Sequence, residues 1–183
     1  MKFACLLADG FEDIEALGTT ALLRRAGIGV DFVSVFAKPT IRGSFGTEVT
    51  ADVMMPKLKV ADYDGLFVPG GRASFTLRET ASVLEVVRAF HKANKYLMAI
   101  CAGPTILAAA GVMSGRKYVC FPGTESDMRD AVYVPQMAVT DDTIITAIGA
   151  GAVYEFALAI IKVALGEAKA KDLAKRILYR EFE

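Results

Sequence analysis

The order of apolar and polar runs in this chain predicts an α/β fold: a doubly wound, largely parallel sheet with a nucleophile elbow. Three observations carry that expectation. Strand-like runs alternate with helix-like runs from one end to the other. The runs at residues 2–8 and 96–100 are apolar at successive positions, as in strands covered on both faces. The second of these runs straight into Cys101 and a small-residue turn, and an apolar helical run follows.

The elements follow in order. Residues 2–8 form the first strand, ended by Asp9-Gly10. Glu12 to Ala26 is a helix: Ile14, Leu17, Ala21, Leu22 and Ala26 recur at helical spacing, and Gly27 stops it. Val30 to Phe36 is the second strand, so the chain begins with a βαβ unit. Lys38 to Asp52 is rich in Gly, Ser and Thr and suits a small hairpin outside the main sheet. Lys57 to Ala61 is a connector, and Asp64 to Val68 is a strand ending at Pro69-Gly70-Gly71. Ala81 to Lys95 is a helix with Val83, Val86, Val87 and Phe90 on one face.

After the elbow, Ile106 to Ala110 is helical and Gly111 ends it. Lys117 to Phe121 is a short strand, and residues 122–131 are loop-like. Val132 to Thr140 and Ile144 to Ile148 bracket the turn Asp141-Asp142. Val153 to Leu165 is a long apolar helix, and Ala168 to Leu178 is an amphipathic one. Neither a repeat nor a linker interrupts the pattern, so residues 1–183 read as one domain.

Composition excludes several classes. The chain is 54% hydrophobic and 23% charged, which is globular. Lys plus Arg and Asp plus Glu both total 21, a balance that argues for neither nucleic acid nor an anionic membrane as partner. No apolar run reaches the roughly 18 residues that span a bilayer. The first ten residues are broken by Asp9-Gly10 too early for a signal peptide. Three cysteines and one histidine make neither a disulfide framework nor a paired metal motif. A cytoplasmic, reduced protein without metal or other cofactor is expected.

In doubly wound sheets, sites gather at the carboxyl ends of strands. Three strand ends carry unusual residues here: Asp9 to Glu15, Pro69-Gly70-Gly71 and Cys101-Ala102-Gly103. Cysteine is commonly a small buried hydrophobe, and Cys5, inside an apolar strand, reads that way. Cys101 differs. Ala99 and Gly103 flank it at the small positions an elbow needs, and a helix N-terminus there favours a thiolate. Cys120, two residues before Pro122, is expected to be partly exposed, with no group to activate it.

Glu12 and Glu15 lie one helical turn apart at a helix start, where carboxylates commonly serve the dipole. Glu15, between Ile14 and Ala16-Leu17, is the better candidate for burial. A buried carboxyl beside Cys101 would have a raised pKa and hold or move a proton. The glycines at 70 and 71 make either an ordinary turn or, through the Gly71 N–H together with that of Ala102, an oxyanion hole. Gly149-Ala150-Gly151 opens a helix but lacks the full phosphate-binding pattern. His91 falls late in the helix before the elbow strand. Five strand residues, about 16 Å, separate that end of the sheet from Cys101, so a Cys–His pair within the chain is not expected.

The residues Ala99 to Thr105, Phe67 to Gly71, Gly10 to Glu15 and Tyr154 to Ile160 resemble the ThiJ/PfpI superfamily. Within it, the chain is most similar to the branch of the human parkinsonism-associated deglycase. The resemblance runs through nearly the whole chain. It implies a flavodoxin-like fold and a homodimer, with Cys101 as oxidisable nucleophile and Glu15 as the protonated carboxyl beside it. Gly70, Gly71 and Ala102 would supply the backbone around the sulfur, and Arg25 matches an arginine near the dimer interface. Two positions depart from the pattern. The peptidase branch places His directly after the Cys, where this chain has Ala102. Many members of the deglycase branch carry His before a proline, where this chain has Phe121-Pro122.

Three functions remain open at this point. One is a Cys-dependent deglycase or glyoxalase acting on methylglyoxal, glyoxal or their adducts. The second is a peroxide sensor and redox-responsive chaperone. The third, disfavoured by Ala102 and His91, is an amidase or peptidase.

Overall fold

The computed structural model describes residues 1–179. In chain order the elements are β1 (Lys2–Leu7), α1 (Asp13–Arg25), β2 (Gly29–Ser34), the hairpin β3 (Thr40–Arg42) and β4 (Glu48–Thr50), and β5 (Val53–Met54). Then come β6 (Gly65–Val68), α2 (Ala73–Leu77), α3 (Ala81–Lys92), β7 (Tyr96–Ile100), α4 (Pro104–Ala109) and β8 (Lys117–Tyr118). The last are β9 (Val132–Tyr133), β10 (Ala138–Asp141), β11 (Ile144–Ala147), α5 (Val153–Leu165) and α6 (Glu167–Arg176).

The main sheet runs β10-β11-β7-β6-β1-β2-β5. Every neighbouring pair in it is parallel except β10 against β11. This is the flavodoxin-like α/β arrangement. Alternate residues of each strand enter different cores. Phe3, Cys5 and Leu7 face α1, α5 and α6, whereas Ala4 and Leu6 face α2, α3 and α4. Both faces of β1 are therefore dry, which is why its sequence does not alternate. The ring of Phe156 on α5 packs on Phe67 of β6 at 5.6 Å between centroids. Burying such a ring contributes about 1.5–3 kcal/mol.

Several local expectations are corrected. Val132 to Thr140 is not one strand. β9 pairs with β8 in a separate two-stranded sheet, and Pro135, with no N–H to donate, stands between it and β10. The connector at 57–61 is built of two 3-10 turns, Met55–Lys57 and Val60–Asp62. The helix expected to reach Lys95 ends at Lys92, since Asn94 adopts a left-handed φ of 53°. α2 and β5 carried no sequence signal, being five and two residues long.

The apolar stripe read on α1 also faces elsewhere than expected. Ile14 is 59% exposed, while Glu15, Ala16, Thr19, Thr20, Leu22 and Leu23 are buried. The core-facing side of this helix is thus partly polar, and its outward side is partly apolar. Among the described residues no helix is long and apolar enough to cross a membrane.

Candidate active site

β1, β6 and β7 are neighbours in the sheet. Their carboxyl ends therefore bring together the three segments singled out in the sequence. Cys101 follows β7 directly and takes a left-handed φ of 63°, a conformation that costs a non-glycine residue about 1–2 kcal/mol. It is held there from both sides. Its N–H donates to the Ala147 carbonyl at 2.9 Å, and its own carbonyl accepts from the Phe121 N–H at 2.8 Å. Gly103 allows the bend, because a Cβ there would lie 2.5 Å from the Val68 carbonyl oxygen and 2.8 Å from that of Ile100.

Glu15 is wholly buried. Its Oε2 accepts the Gly70 N–H at 2.8 Å. Its Oε1 has no nitrogen or oxygen partner among the described residues, and the carboxyl interacts with the Cys101 thiol. The approach is close: a Cβ on Gly70 would lie 2.7 Å from Cys101 Cβ and 2.8 Å from Glu15 Oε2. Only glycine leaves that space open. Glu12 serves the helix instead, capping α1 by accepting the Glu15 N–H at 2.7 Å.

Electrostatics follow from this burial. Desolvation pushes the Glu15 carboxyl up to about 7, against hydrogen bonds from Gly70 and the Cys101 thiol. Desolvation, together with the charge of ionised Glu15, pushes the Cys101 thiol up to about 12. Hydrogen bonds from the N–H groups of Ala102 and Gly71 to the sulfur oppose the rise. Burial and the facing carboxylate both oppose the standing thiolate expected from the sequence. α4 has only six residues, and its dipole is outweighed by burial and a facing carboxylate. Because the two groups interact directly, they titrate as a coupled pair rather than one by one.

The sulfur opens onto a cavity of about 270 Å³. Gly71, Cys101 and Ala102 form part of its lining, with Phe45, Phe75, Phe121 and Arg72 around them. Phe45 is carried by the β3–β4 hairpin, which Asp13 fastens to the start of α1. The Asp13 carboxylate accepts the N–H groups of Phe45 and Thr47, each at 3.0 Å. Although burial opposes it, the Thr47 side chain together with these N–H groups holds Asp13 below the usual carboxylate range. Sequence reasoning missed Phe45, Phe75 and Asp13. A large apolar side chain in the turn Gly43-Ser44-Phe45-Gly46 was the signal available for the first.

The remaining candidates lie elsewhere. Gly70, expected to help bind an oxyanion, turns its N–H to Glu15. Cys5 is buried in the core as expected. Cys120, expected to be partly exposed, is buried too; the chain leaves β8 at Tyr118 and is tied to the sheet by the Val119 N–H donating to Thr146 Oγ1 at 3.0 Å. His91 is exposed near the end of α3, before the strand that leads to Cys101. Arg25 lines a separate groove of about 580 Å³ with Ile14, Gly18, Tyr154 and Leu178. No group of three or more His, Cys, Asp or Glu among the described residues could hold a metal ion.

The chain is 35% identical over 131 residues, 72% of its length and 78% of the relative's, to a Pyrococcus horikoshii protein named Deglycase PH1704. It is 30% identical over 166 residues, 90% of its length and 88% of the relative's, to a Caenorhabditis elegans protein named Glutathione-independent glyoxalase DJR-1.2. Its fold superposes with a TM-score of 0.92 and 31% identity on the crystal structure of a mutant of DJ-1 superfamily protein STM1931 from Salmonella typhimurium, covering 97% of this chain and 98% of that one. The sequence profile of the DJ-1/PfpI family matches residues 1–163, and the chain belongs to that family.

Proposed function

We propose that this protein is a cysteine-dependent enzyme of the deglycase or glyoxalase type, converting small α-oxoaldehydes or their adducts to 2-hydroxy acids. The observation that carries the reading is the pairing of Cys101 with the buried Glu15 carboxyl, whose proton affinity burial raises, beneath a small open cavity. A base with a pKa near the working pH accepts a thiol proton readily and gives it back readily. Relatives named deglycase and glyoxalase support it.

The chemistry needs no outside oxidant or reductant. Cys101 Sγ bonds to the aldehyde carbon of R–CO–CHO while its proton passes to ionised Glu15. The aldehyde oxygen becomes an oxyanion facing the N–H groups of Gly71 and Ala102, and Glu15 returns the proton to it. Glu15 then takes the hydrogen from that carbon as a proton, and the electron pair moves into an enediolate. Glu15 gives that proton to the neighbouring carbon while the hydroxyl proton passes from the first oxygen to the second, leaving a 2-hydroxy thioester. Water cleaves the C–S bond, releasing R–CHOH–COOH and the thiol. With a hemiaminal adduct R–CO–CH(OH)–NHR′, the C–S bond forms as the C–N bond breaks, and the amine leaves with the thiol proton delivered by Glu15. Methylglyoxal gives lactate and glyoxal gives glycolate.

Purified protein incubated with methylglyoxal, and separately with a glycated amine, is expected to yield lactate. Cys101→Ser is expected to lower that output at least about a hundredfold. Equal output from the variant and the wild type removes the reading.

A second reading, a peroxide-sensing thiol in a redox-responsive chaperone, is favoured by one contrast. Cys5 and Cys120 are both fully buried, whereas Cys101 reaches solvent. A sulfinate on Cys101 would find the Gly71 and Ala102 N–H groups and protonated Glu15 as donors. Mass spectrometry after mild peroxide is expected to place oxidation on Cys101 alone; spread over all three cysteines, it speaks against a sensor. An intracellular homodimer is the assembly and setting proposed for either role. The groove beside Arg25, with its outward apolar residues, is the surface proposed for pairing.

A further inference from the structure

We propose that the cavity over Cys101 selects α-oxoaldehydes bearing an aromatic ring, and that Phe45, Phe75 and Phe121 do the selecting. The inference rests on the α-oxoaldehyde chemistry proposed above. The three rings come from three distant parts of the chain: the β3–β4 turn, α2 and the segment after β8. They are 78%, 54% and 50% exposed, and none belongs to either hydrophobic core. Core packing therefore does not account for them. Apolar side chains gathered in the open around one concave point mark a place where something apolar binds.

Their backbones are held in place. The Phe45 N–H is tied to Asp13. The Phe121 N–H donates to the Cys101 carbonyl at 2.8 Å, so the backbone that carries this ring is tied to the residue that carries the sulfur. The Arg78 guanidinium lies over the Phe75 ring, 5.1 Å from its centroid. Aromatic side chains on anchored backbone offer a flat ring a preplaced apolar surface, which lowers the ordering penalty of binding.

Size and charge narrow the class. The cavity, at about 270 Å³, falls just below the roughly 300–1,000 Å³ typical of pockets for drug-sized ligands. It suits a single ring joined to a two-carbon dicarbonyl. Its lining carries one cation, Arg72, and one anion, Glu12; that balance selects neither charge, and the Glu12 carboxylate is engaged at the α1 cap. Glyoxal offers the rings nothing, and methylglyoxal offers a single methyl group. An aryl-oxoaldehyde undergoes the same conversion, Ar–CO–CHO plus water giving Ar–CHOH–COOH, while its ring meets the three phenylalanines.

The test compares kcat/KM for phenylglyoxal and methylglyoxal, read as mandelate and lactate, in the wild type and in Phe45→Ala, Phe75→Ala and Phe121→Ala. The phenylglyoxal-to-methylglyoxal ratio is expected to be about tenfold or more in the wild type, and to fall about tenfold in Phe121→Ala and in at least one other variant. A ratio near one in the wild type, or one that none of the substitutions changes, overturns the proposal. In parallel, calorimetry measures binding of 1-phenyl-1,2-propanedione and 2,3-butanedione, which lack an aldehyde, to Cys101→Ser. If neither oxoaldehyde is turned over, the enzymatic reading fails on its own. Aromatic selection then stands if the phenyl diketone binds about tenfold more tightly and loses that advantage in the Phe→Ala variants, and it falls if both diketones bind alike.

Discussion

The Cys101–Glu15 pair sets what each residue can do alone. Burial raises the proton affinity of both groups; ionised Glu15 raises that of Cys101 further, whereas the hydrogen bond from the thiol lowers that of Glu15. Glu15→Gln is the informative change, because an amide can still accept the Gly70 N–H and donate toward sulfur, but it carries no charge. Loss of the facing carboxylate lowers the thiol pKa. The rate of Cys101 alkylation at neutral pH is therefore expected to rise in Glu15→Gln, with its inflection moved to lower pH, while turnover falls about 10²- to 10⁴-fold with the proton carrier gone. Slower alkylation of the variant contradicts the pairing described here. Stability carries the same signature. The folded pKa of Glu15, about 7, lies above its unfolded value of about 4.3. Its contribution is fully present below pH ~4 and is lost as pH rises through 7, a swing of about 4 kcal/mol. Denaturant titrations across that range are expected to show the swing in the wild type and not in Glu15→Gln. From the sequence, burial of Glu15 was legible in its apolar neighbours. The raised thiol pKa was not, because it depends on how close a residue from another element comes.

At the scale of elements, the site is a junction of three strand ends, and glycines decide how tightly they close. Gly103 has an ordinary φ and is needed for space rather than for backbone freedom, since its missing Cβ would press on two backbone carbonyls. Neither can move without disturbing β6 or β7. Gly103→Ala is expected to destabilise the protein by about 1–3 kcal/mol, read as a lower denaturant midpoint, and to slow alkylation of Cys101 by shifting the elbow. An unchanged midpoint would mean that the turn has slack. Gly71 is needed on both counts, with φ at 89° and the Gly10 carbonyl oxygen and Glu12 nitrogen each 2.5 Å from a built Cβ. The strand–turn–helix order around Cys101 was legible because small residues and an apolar run are local signals. α2 was not, because five residues give no helical period.

For the whole molecule, the outward face of α1 is the feature a lone chain leaves unexplained. Ile14, Tyr154 and Leu178 are each about half exposed or more around the groove beside Arg25. A second copy covering this face would also brace the turn of α1 that holds Glu15. Sedimentation is expected to give a dimer for the wild type and mostly monomer for Ile14→Glu, since a carboxylate in a closed apolar interface costs several kcal/mol. A monomeric wild type removes the pairing proposal. Regular spacing made Ile14 look like a core residue. Periodicity reports which residues share a face, and is silent on whether that face meets the protein's own core or a neighbour.

The sequence by itself determined the layered α/β architecture, the order of its main strands and helices, and the position of one partly exposed cysteine at a bend. Those follow from apolar runs and small residues, whose effects act along the chain. Tertiary structure alone decided the proton affinities of Cys101 and Glu15, the turning of the Gly70 N–H to the carboxylate rather than to an oxyanion, the burial of Cys120, and the ring of phenylalanines around the sulfur. Each of those depends on distances of a few ångströms between segments remote in the chain, and desolvation and hydrogen bonding change over just those distances.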